Sequence, residues 1–224
     1  MQRRTLDVTV DGRPSALTAA DLGLAGAEPR AFALPRGARL FARGDALSTA
    51  HLITDGLVAM IARTPGGGSA EAGLIGPGGL VGHTVSFGAE YATADALALT
   101  AVRGLALEAS ALVALAQERP RLRRELDDYA LARFTEAERL CACSALHMVE
   151  QRLARWLLQA ARLLGDRPIE ITHNQFAELL GVRRASVTTG LHMLEGEQAV
   201  RCQRGRIEIR DAARLEAASC GCHS

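Results

Sequence analysis

The segment between Ile171 and Ile209 constrains the fold of this chain more than any other stretch. Thr172 and Gln175 stand three residues apart, the spacing of a capping box in which each side chain binds the other residue's backbone N–H. A helix is therefore predicted to begin there. Gly181 is predicted to end that helix, because glycine adopts a positive φ without steric cost.

A second helix is predicted from about Arg184 to Glu195, and its two faces differ in character. Its apolar face, at helical spacing, consists of Val187, Leu191 and Leu194. The opposite face carries short polar and cationic side chains, which suit a helix in the major groove of DNA. The members of that face are Arg183, Arg184, Ser186, Thr188 and Thr189. Two β-prone runs around Arg204 and Gly205 predict a hairpin. The alternative is an ordinary helical pair with a solvated basic face, and the arginines favour DNA binding over it.

These residues resemble the winged helix-turn-helix of the Crp/Fnr superfamily of bacterial transcription regulators. The positions in register with the motifs of that family are Thr172, Ala177, Leu180, Gly181, Arg184, Val187, Leu191, Leu194, Gly205, Ile207, Ile209 and Asp211. The resemblance implies a sequence-specific transcription regulator rather than an enzyme. It also implies a homodimer, a palindromic double-stranded DNA operator read in major grooves about 34 Å apart, and RNA polymerase as a further partner.

Within this segment, Arg184 is expected to make a bidentate contact to guanine. Ala185 stands where nucleotide-responsive relatives have a glutamate, so the target site is expected to differ from theirs. Phosphate contacts position a protein on DNA without reading its sequence, and the residues expected to make them are Thr172, Asn174, Ser186 and Arg204. The full expected DNA-binding set is Thr172, Asn174, Arg183, Arg184, Ala185, Ser186, Thr188, Thr189, Arg204 and Arg206.

Residues 30–119 consist of short alternating runs separated by turns that contain glycine, a pattern typical of an all-β sandwich or barrel. The runs resemble the cyclic-nucleotide-binding β-roll that precedes the winged helix in Crp/Fnr regulators. The predicted strands are Ala31–Pro35, Arg39–Ala42, His51–Ile53, Leu57–Ala62, Glu71–Ile75, Ala94–Thr100 and Gly104–Glu108. A short helix is predicted to follow from Ala109 to Gln117.

A long helix is predicted from Pro120, because proline is favoured at the first helical position and no glycine or proline occurs from Arg121 to Leu146. At about 1.5 Å per residue it would be nearly 40 Å long and would protrude beyond a small β-roll. A dimerisation helix is therefore favoured over a core-facing helix of a monomer. The apolar stripe consists of Leu122, Leu126, Tyr129 or Ala130, Phe134, Ala137, Leu140 or Cys141, and Ser144. Trp156, in the next predicted helix (Val149 to Leu164), is expected in the core.

The predicted fold class is therefore α+β, with four parts. Residues 1–29 are an N-terminal extension that could form a short helix from Leu17 to Leu24. Residues 30–119 form a cyclic-nucleotide-binding-like β-roll (jelly roll) as the effector or sensor domain. Residues 120–147 are the dimerisation helix, and residues 148–224 are the winged helix-turn-helix domain with a Cys-x-Cys tail.

The effector segments of the β-roll depart from the pattern of nucleotide-responsive relatives. In those, a Gly-Glu-x-x-Gly segment and a downstream Arg-Ser-Ala or Arg-Thr-Ala hold the phosphate, which needs an arginine charge and backbone N–H groups. Leu80 replaces the glutamate and Ala92 replaces the arginine, so cyclic AMP binding is not expected. The candidate pocket positions are Gly79, Leu80, Gly82, Ala92 and Thr93. A non-nucleotide small molecule in the β-roll is the alternative effector.

The cysteines suggest a second kind of site. Cys143 and His147 stand four residues apart and can share a helix face, and Cys-x-Cys in the tail can bind soft metals or oxidise. One hypothesis joins Cys143, His147, Cys220 and Cys222 in a metal or redox site. The other is a buried helical cysteine and a disordered tail. The chain resembles a Crp/Fnr subgroup with such a tail, and its last residues differ in detail.

Other functional classes receive less support from the sequence. A thiol oxidoreductase is disfavoured because the chain has no Cys-x-x-Cys in a βαβ context. The net charge of +1 gives no overall basic signature. No apolar run approaches the roughly 20 residues of a membrane span and no signal-peptide pattern is present. No membrane association is expected, and the expected compartment is the cytoplasm.

Overall fold

The structure, a computed structural model, describes residues 29–165 and 167–222. The predicted helix from Leu17 to Leu24 and nearly all of the N-terminal extension lie outside the described residues. The strands of the N-terminal half are β1 (Arg30–Leu34), β2 (Arg39–Phe41), β3 (Thr49–Asp55), β4 (Val58–Arg63), β5 (Ser69–Ile75), β6 (Leu80–Val81), β7 (Asp95–Ala98) and β8 (Val102–Glu108).

Two antiparallel four-stranded sheets face each other in this half of the molecule, with strand orders β1-β8-β3-β6 and β2-β7-β4-β5. Apolar side chains between the sheets form a core that includes Ile53, Val58 and Val102. The β-roll and the seven predicted strands are therefore confirmed. The sequence missed β6, because a strand of two residues is too short to show an alternating pattern.

Two helices follow the β-roll: α1 (Ala109–Glu118) and α2 (Pro120–Leu146). Pro120 is the first residue of α2, as predicted. The prediction of one continuous dimerisation stripe on α2 is wrong for the N-terminal half of the helix. There Leu122, Leu126 and Tyr129 are buried against the β-roll, and the Leu80 N–H donates a 2.9 Å hydrogen bond to the Tyr129 hydroxyl. Farther along, Phe134 is 61% exposed.

The C-terminal third contains α3 (Val149–Leu164), α4 (His173–Leu180), α5 (Arg184–Gly196), β9 (Val200–Gln203), β10 (Arg206–Ile209) and α6 (Ala212–Ala218). The capping box of Thr172 and Gln175 is present, and Gly181 ends α4 with φ of 64°. Gly190 permits the close packing of α5 on α3, because a Cβ there would lie only 2.6 Å from the Leu153 side chain. The winged helix-turn-helix is confirmed, whereas α6 was not predicted.

The β-roll and the winged helix share one apolar core. Side chains from the outer face of the β-roll, such as Ile61 and Leu74, pack in the same cluster as Leu157 and the fully buried Trp156 of α3. The indole N–H of Trp156 also donates a hydrogen bond to the Glu71 carboxylate of β5. The winged helix-turn-helix domain is therefore docked on the β-roll. No helix in the described part of the chain has the length and hydropathy to cross a membrane.

Candidate DNA-binding surface and cysteine–histidine cluster

The helix pair α4 and α5 presents a polar surface whose underside is apolar. Val187, Leu191 and Leu194 of α5 are almost completely buried, which fixes the rotation of the helix and turns the opposite face outward. The exposed members of that face are Arg183, Arg184, Ala185 and Thr189, while Ser186 and Thr188 are half-buried. The first turn of α5 carries no acidic residue. Its helix dipole and its two arginines therefore act together on an approaching phosphate.

The hairpin between β9 and β10 adds a second basic element. Gln203 pairs with Arg206 across the turn, and Arg204 at the tip is exposed. Arg206 donates a 2.8 Å hydrogen bond to the Glu208 carboxylate. A phosphate contact from Arg206 would therefore compete with this ion pair, which makes Arg204 the better-placed cation of the wing.

Two contacts near the start of α4 were not foreseen from the sequence. A 2.9 Å hydrogen bond joins His173 Nδ1 to the Thr188 hydroxyl, so α4 and α5 are linked at the exposed surface. Burial, assisted by the neighbouring Arg184 and His192, lowers the His173 pKa. Arg36 of the β-roll donates to the Gln175 side chain at 3.0 Å. The exposed Thr172 and Asn174 border these contacts, at the expected phosphate-binding edge.

The second candidate site lies where α2 meets the C-terminal tail. It brings together Cys143, His147, Cys220 and Cys222, called here the Cys/His cluster. One ligand atom from each residue lies within 4.8 Å of all the others. The Cys143 and Cys220 sulfurs are 3.5 Å apart, and the Cys222 sulfur is 3.7 Å from His147 Nδ1. Cys141 is exposed on another side of α2 and does not join them.

The local fold explains how residues far apart in sequence meet. Helix α2 ends at Leu146, and His147 turns away with extended backbone (φ −114°, ψ 148°). Helix α6 is anchored by the fully buried Leu215. Gly221, with φ of 71°, then bends the tail, so Cys220 and Cys222 face the same point. The alternative of a disordered tail is therefore wrong for the segment that ends at Cys222.

Two buried arginines of α3 flank the cluster. Arg152 donates to the Leu180 carbonyl at 2.6 Å and to the Ser144 hydroxyl at 3.4 Å. Arg155 Nη1 donates to Gln159 at 2.9 Å, while its Nε has no hydrogen-bond partner among the described residues. Burial, together with the Cys220 thiol, raises the pKa of Cys143 to about 12. Without a metal the Cys143 thiol therefore retains its proton.

Two of the five candidate effector positions of the β-roll, Leu80 and Ala92, lie in an apolar core. Leu80 is completely buried, Ala92 is 5% exposed, and both belong to one cluster. Gly79 precedes Leu80, and Gly82 adopts φ of 83° just after β6. Thr93 is exposed. The two positions that carry charge in nucleotide-responsive relatives are thus occupied by packed aliphatic side chains.

Comparison with known proteins gives matches over both halves of the chain. A cyclic nucleotide-binding domain model matches residues 31–119, and a Crp-like helix-turn-helix domain model matches residues 151–218. The cyclic AMP receptor protein of Thermus thermophilus is 30% identical over 88% of this chain and 90% of its own length. A CRP-like cAMP-activated global transcriptional regulator of Mycobacterium tuberculosis is 26% identical over 85% of this chain and 92% of its own.

Solved structures share the fold at lower identity. FixK2 from Bradyrhizobium japonicum has a TM-score of 0.74 and 15% identity, covering 85% of this chain and 97% of that one. A CRP family transcriptional regulator from Thermus thermophilus has a TM-score of 0.71 and 21% identity, covering 84% and 96%. These likenesses support the arrangement of β-roll, long helix and winged helix.

Proposed function

Because the chain belongs to the Crp/Fnr family of transcription regulators, we propose that it acts as a homodimer on a palindromic operator, independently of cyclic AMP, and responds to chemistry at its Cys/His cluster. The observation that carries the DNA-binding part is the exposed basic face of α5, held outward by a buried apolar face. RNA polymerase is the further partner that we propose, from the family resemblance. The Mycobacterium tuberculosis relative is named a transcriptional regulator, and we propose no catalytic role.

Operator reading is assigned to Arg184 in this proposal. It is exposed at the first position of α5, and an arginine there can bind the O6 and N7 atoms of guanine together. The other residues of the set (Thr172, Asn174, Arg183, Ala185, Ser186, Thr188, Thr189, Arg204 and Arg206) surround it on α4, α5 and the wing. They would contact phosphates and form the surface that fits the DNA groove.

Replacing Arg184 with alanine should weaken operator binding by about 1–3 kcal/mol and weaken binding to random DNA much less. The operator complex loses both the guanine contact and one positive charge, whereas the complex with random DNA loses only the charge. Electrophoretic mobility shift with both DNAs measures the difference. Arg30→Ala is the matched control, since it removes the same charge from an exposed ion pair with Glu108. Equal losses on both DNAs would refute the base-reading role.

Homodimerisation is supported by the middle and C-terminal part of α2. Leu131 is 41% exposed and Phe134 is 61% exposed on this helix, and 27 residues give a helix about 40 Å long. Apolar residues on such a face are stabilised when a second helix covers them. The dimer would place two copies of α5 on one side of the DNA, as a palindrome requires.

Independence from cyclic AMP is proposed although two relatives are named for this nucleotide. A cyclic phosphate carries a charge that needs a cation and polar partners, whereas Leu80 and Ala92 are packed in an apolar core. We therefore expect no measurable cyclic AMP binding by isothermal titration calorimetry. The Thermus thermophilus cyclic AMP receptor protein, titrated under the same conditions, provides the positive control. Stoichiometric heat from this chain would disprove the proposal.

The signal is proposed to be metal binding or thiol oxidation at Cys143, His147, Cys220 and Cys222. The supporting observation is their convergence within 4.8 Å at the junction of α2, the tail and the winged helix. A non-nucleotide small molecule in the β-roll, bound near Gly79, Gly82 and Thr93, is the second candidate. Its support is the retained β-roll fold.

A further inference from the structure

We propose that the Cys/His cluster is a closed, four-coordinate site for one thiophilic divalent cation of the zinc class, and that Arg152 transmits its occupancy to the helix-turn-helix. This inference deepens the proposed function, on which its regulatory part rests. It names one ligand class among the chemistries that the cluster allows, and it assigns a role to a buried arginine outside the cluster.

The spacing of the ligand atoms fits a tetrahedral ion. Zinc–sulfur bonds of about 2.3 Å at tetrahedral angles place two sulfurs about 3.8 Å apart. The Cys143 and Cys220 sulfurs are 3.5 Å apart, and the Cys222 sulfur and His147 Nδ1 are 3.7 Å apart. All four ligand atoms lie within 4.8 Å of one another. Small side-chain adjustments would therefore place an ion between them, with no open position.

A single ion also accounts for all four residues. A disulfide joins two sulfurs at about 2.05 Å and would leave the third thiol and the imidazole of His147 without a role. Three thiols and one imidazole form a ligand set known from structural zinc sites. When three thiols bind a divalent cation through sulfur, three protons are released, and a neutral imidazole completes the shell.

Charge complementarity provides an independent argument. One divalent cation with three thiolates and a neutral histidine has a net charge of −1, and a buried anion needs a cation beside it. Arg152 and Arg155 are 9% and 4% exposed and both interact electrostatically with Cys143. Within residues 29–165 and 167–222, neither forms an ion pair with a carboxylate. The Glu71 carboxylate also interacts electrostatically with both arginines, and a metal–thiolate centre would add a second counter-charge beside them.

Arg152 connects the cluster to the DNA-binding helices. Its guanidinium donates a 2.6 Å hydrogen bond to the carbonyl of Leu180, the last residue of α4. Gly181 follows directly and makes the turn into α5. A change of charge at the cluster therefore acts on the residue that holds the end of α4. Arg155 faces the same cluster and makes no hydrogen bond to α4 among the described residues.

The first experiment measures metal binding by the full-length protein purified without oxygen. Elemental analysis should give about one zinc per chain, and Co²⁺ titration should give the visible absorption of a tetrahedral cobalt–thiolate site. Cys222→Ser should lower the Co²⁺ affinity at least about 100-fold, because second-shell losses alone reach 10–100-fold. Cys141→Ser and Cys202→Ser are matched controls, since neither residue belongs to the cluster, and both should bind like the wild type.

The second experiment tests whether Arg152 couples metal binding at the Cys/His cluster to operator binding. Mobility shift with metal-loaded and metal-free wild type should give different operator affinities. Arg152→Gln should abolish that difference, whereas Arg155→Gln should lower metal affinity about tenfold but keep the difference. Circular dichroism and thermal melting establish that both variants are folded. If Arg152→Gln unfolds the protein, Arg152→Lys replaces it, because it keeps the charge and loses the planar fork.

The outcomes of these experiments test the metal site, its coupling to DNA binding and the proposed function separately. Operator binding by a protein that takes up neither zinc nor Co²⁺ would overturn the metal site and leave the regulator intact. Metal uptake without specific DNA binding would overturn the proposed function and leave the site intact. Equal operator affinities of metal-loaded and metal-free wild type, or a difference that survives Arg152→Gln, would overturn the coupling.

Discussion

Replacing Phe134 with glutamate should convert the dimer into a monomer and lower operator affinity by about 100-fold or more. The ring is 61% exposed on α2, beside the 41% exposed Leu131, and the proposed partner helix would cover both. A carboxylate there would be buried without a partner, which costs several kcal/mol. A monomer reaches only one half-site, so it loses the gain in avidity of roughly 10²–10⁴ that two linked binding modules provide.

Analytical ultracentrifugation and mobility shift on the same samples measure both consequences. Tyr91→Glu is a close control, because Tyr91 is 60% exposed and belongs to the β-roll rather than to α2. The Tyr91→Glu variant should have the same molecular mass in solution and the same operator affinity as the wild type. A Phe134→Glu protein that remains dimeric, or a monomer that binds the operator as tightly as the wild type, would contradict the proposed α2 interface.

Replacing Glu71 with glutamine should stabilise the protein at pH 8 by up to about 3.4 kcal/mol, which is the rise of the Glu71 pKa from 4.5 to about 7 converted at ~1.4 kcal/mol per unit. Burial raises the pKa of Glu71 from its ordinary 4.5 to about 7, against the opposing pull of Arg155. One carboxylate oxygen accepts from Trp156, and the other has no partner among the described residues. Glutamine keeps an acceptor for the indole and carries no charge to bury.

The pH dependence follows from the direction of this shift. Below pH 4.5 the Glu71 carboxyl is protonated in both the folded and the unfolded protein, and its ionisation costs nothing. As pH rises from 4.5 to about 7, the unfolded state releases the proton first, so the folded state loses stability. Above pH 7 the loss is complete. Glu71→Gln should therefore remove a decline in stability over this range.

Denaturant unfolding at several pH values between 5 and 8 measures this effect. Glu178→Gln is a suitable control, since Glu178 is exposed on α4 and should leave the curve unchanged. If the free energies of unfolding of Glu71→Gln and the wild type changed in parallel with pH, the pKa of Glu71 would be the same in the folded and unfolded states, and the prediction would be wrong. Glu71 lies where β5 meets α3, so the same titration is expected to loosen the docking of the winged helix on the β-roll.

Local signals in the sequence were sufficient for most of the fold. The capping box at Thr172, the left-handed turn at Gly181 and the start of α2 at Pro120 each depend on residues within one helical turn. The strands of the β-roll were recognised from the alternation of apolar and polar residues between turns that contain glycine, which is also a local pattern. Short-range sterics and hydrogen bonds determine these features, so a pattern of a few residues contains the information.

The tertiary structure alone decided which distant residues meet. Cys143 and Cys220 are 77 positions apart, and Glu71 and Trp156 are 85 apart. The unpredicted helix α6 and the bend at Gly221 bring the tail to α2. Packing on the β-roll also divided the apolar stripe of α2 into a buried half and an exposed half. Periodicity shows that a face is apolar, but the surface that covers it is determined by how the whole chain packs.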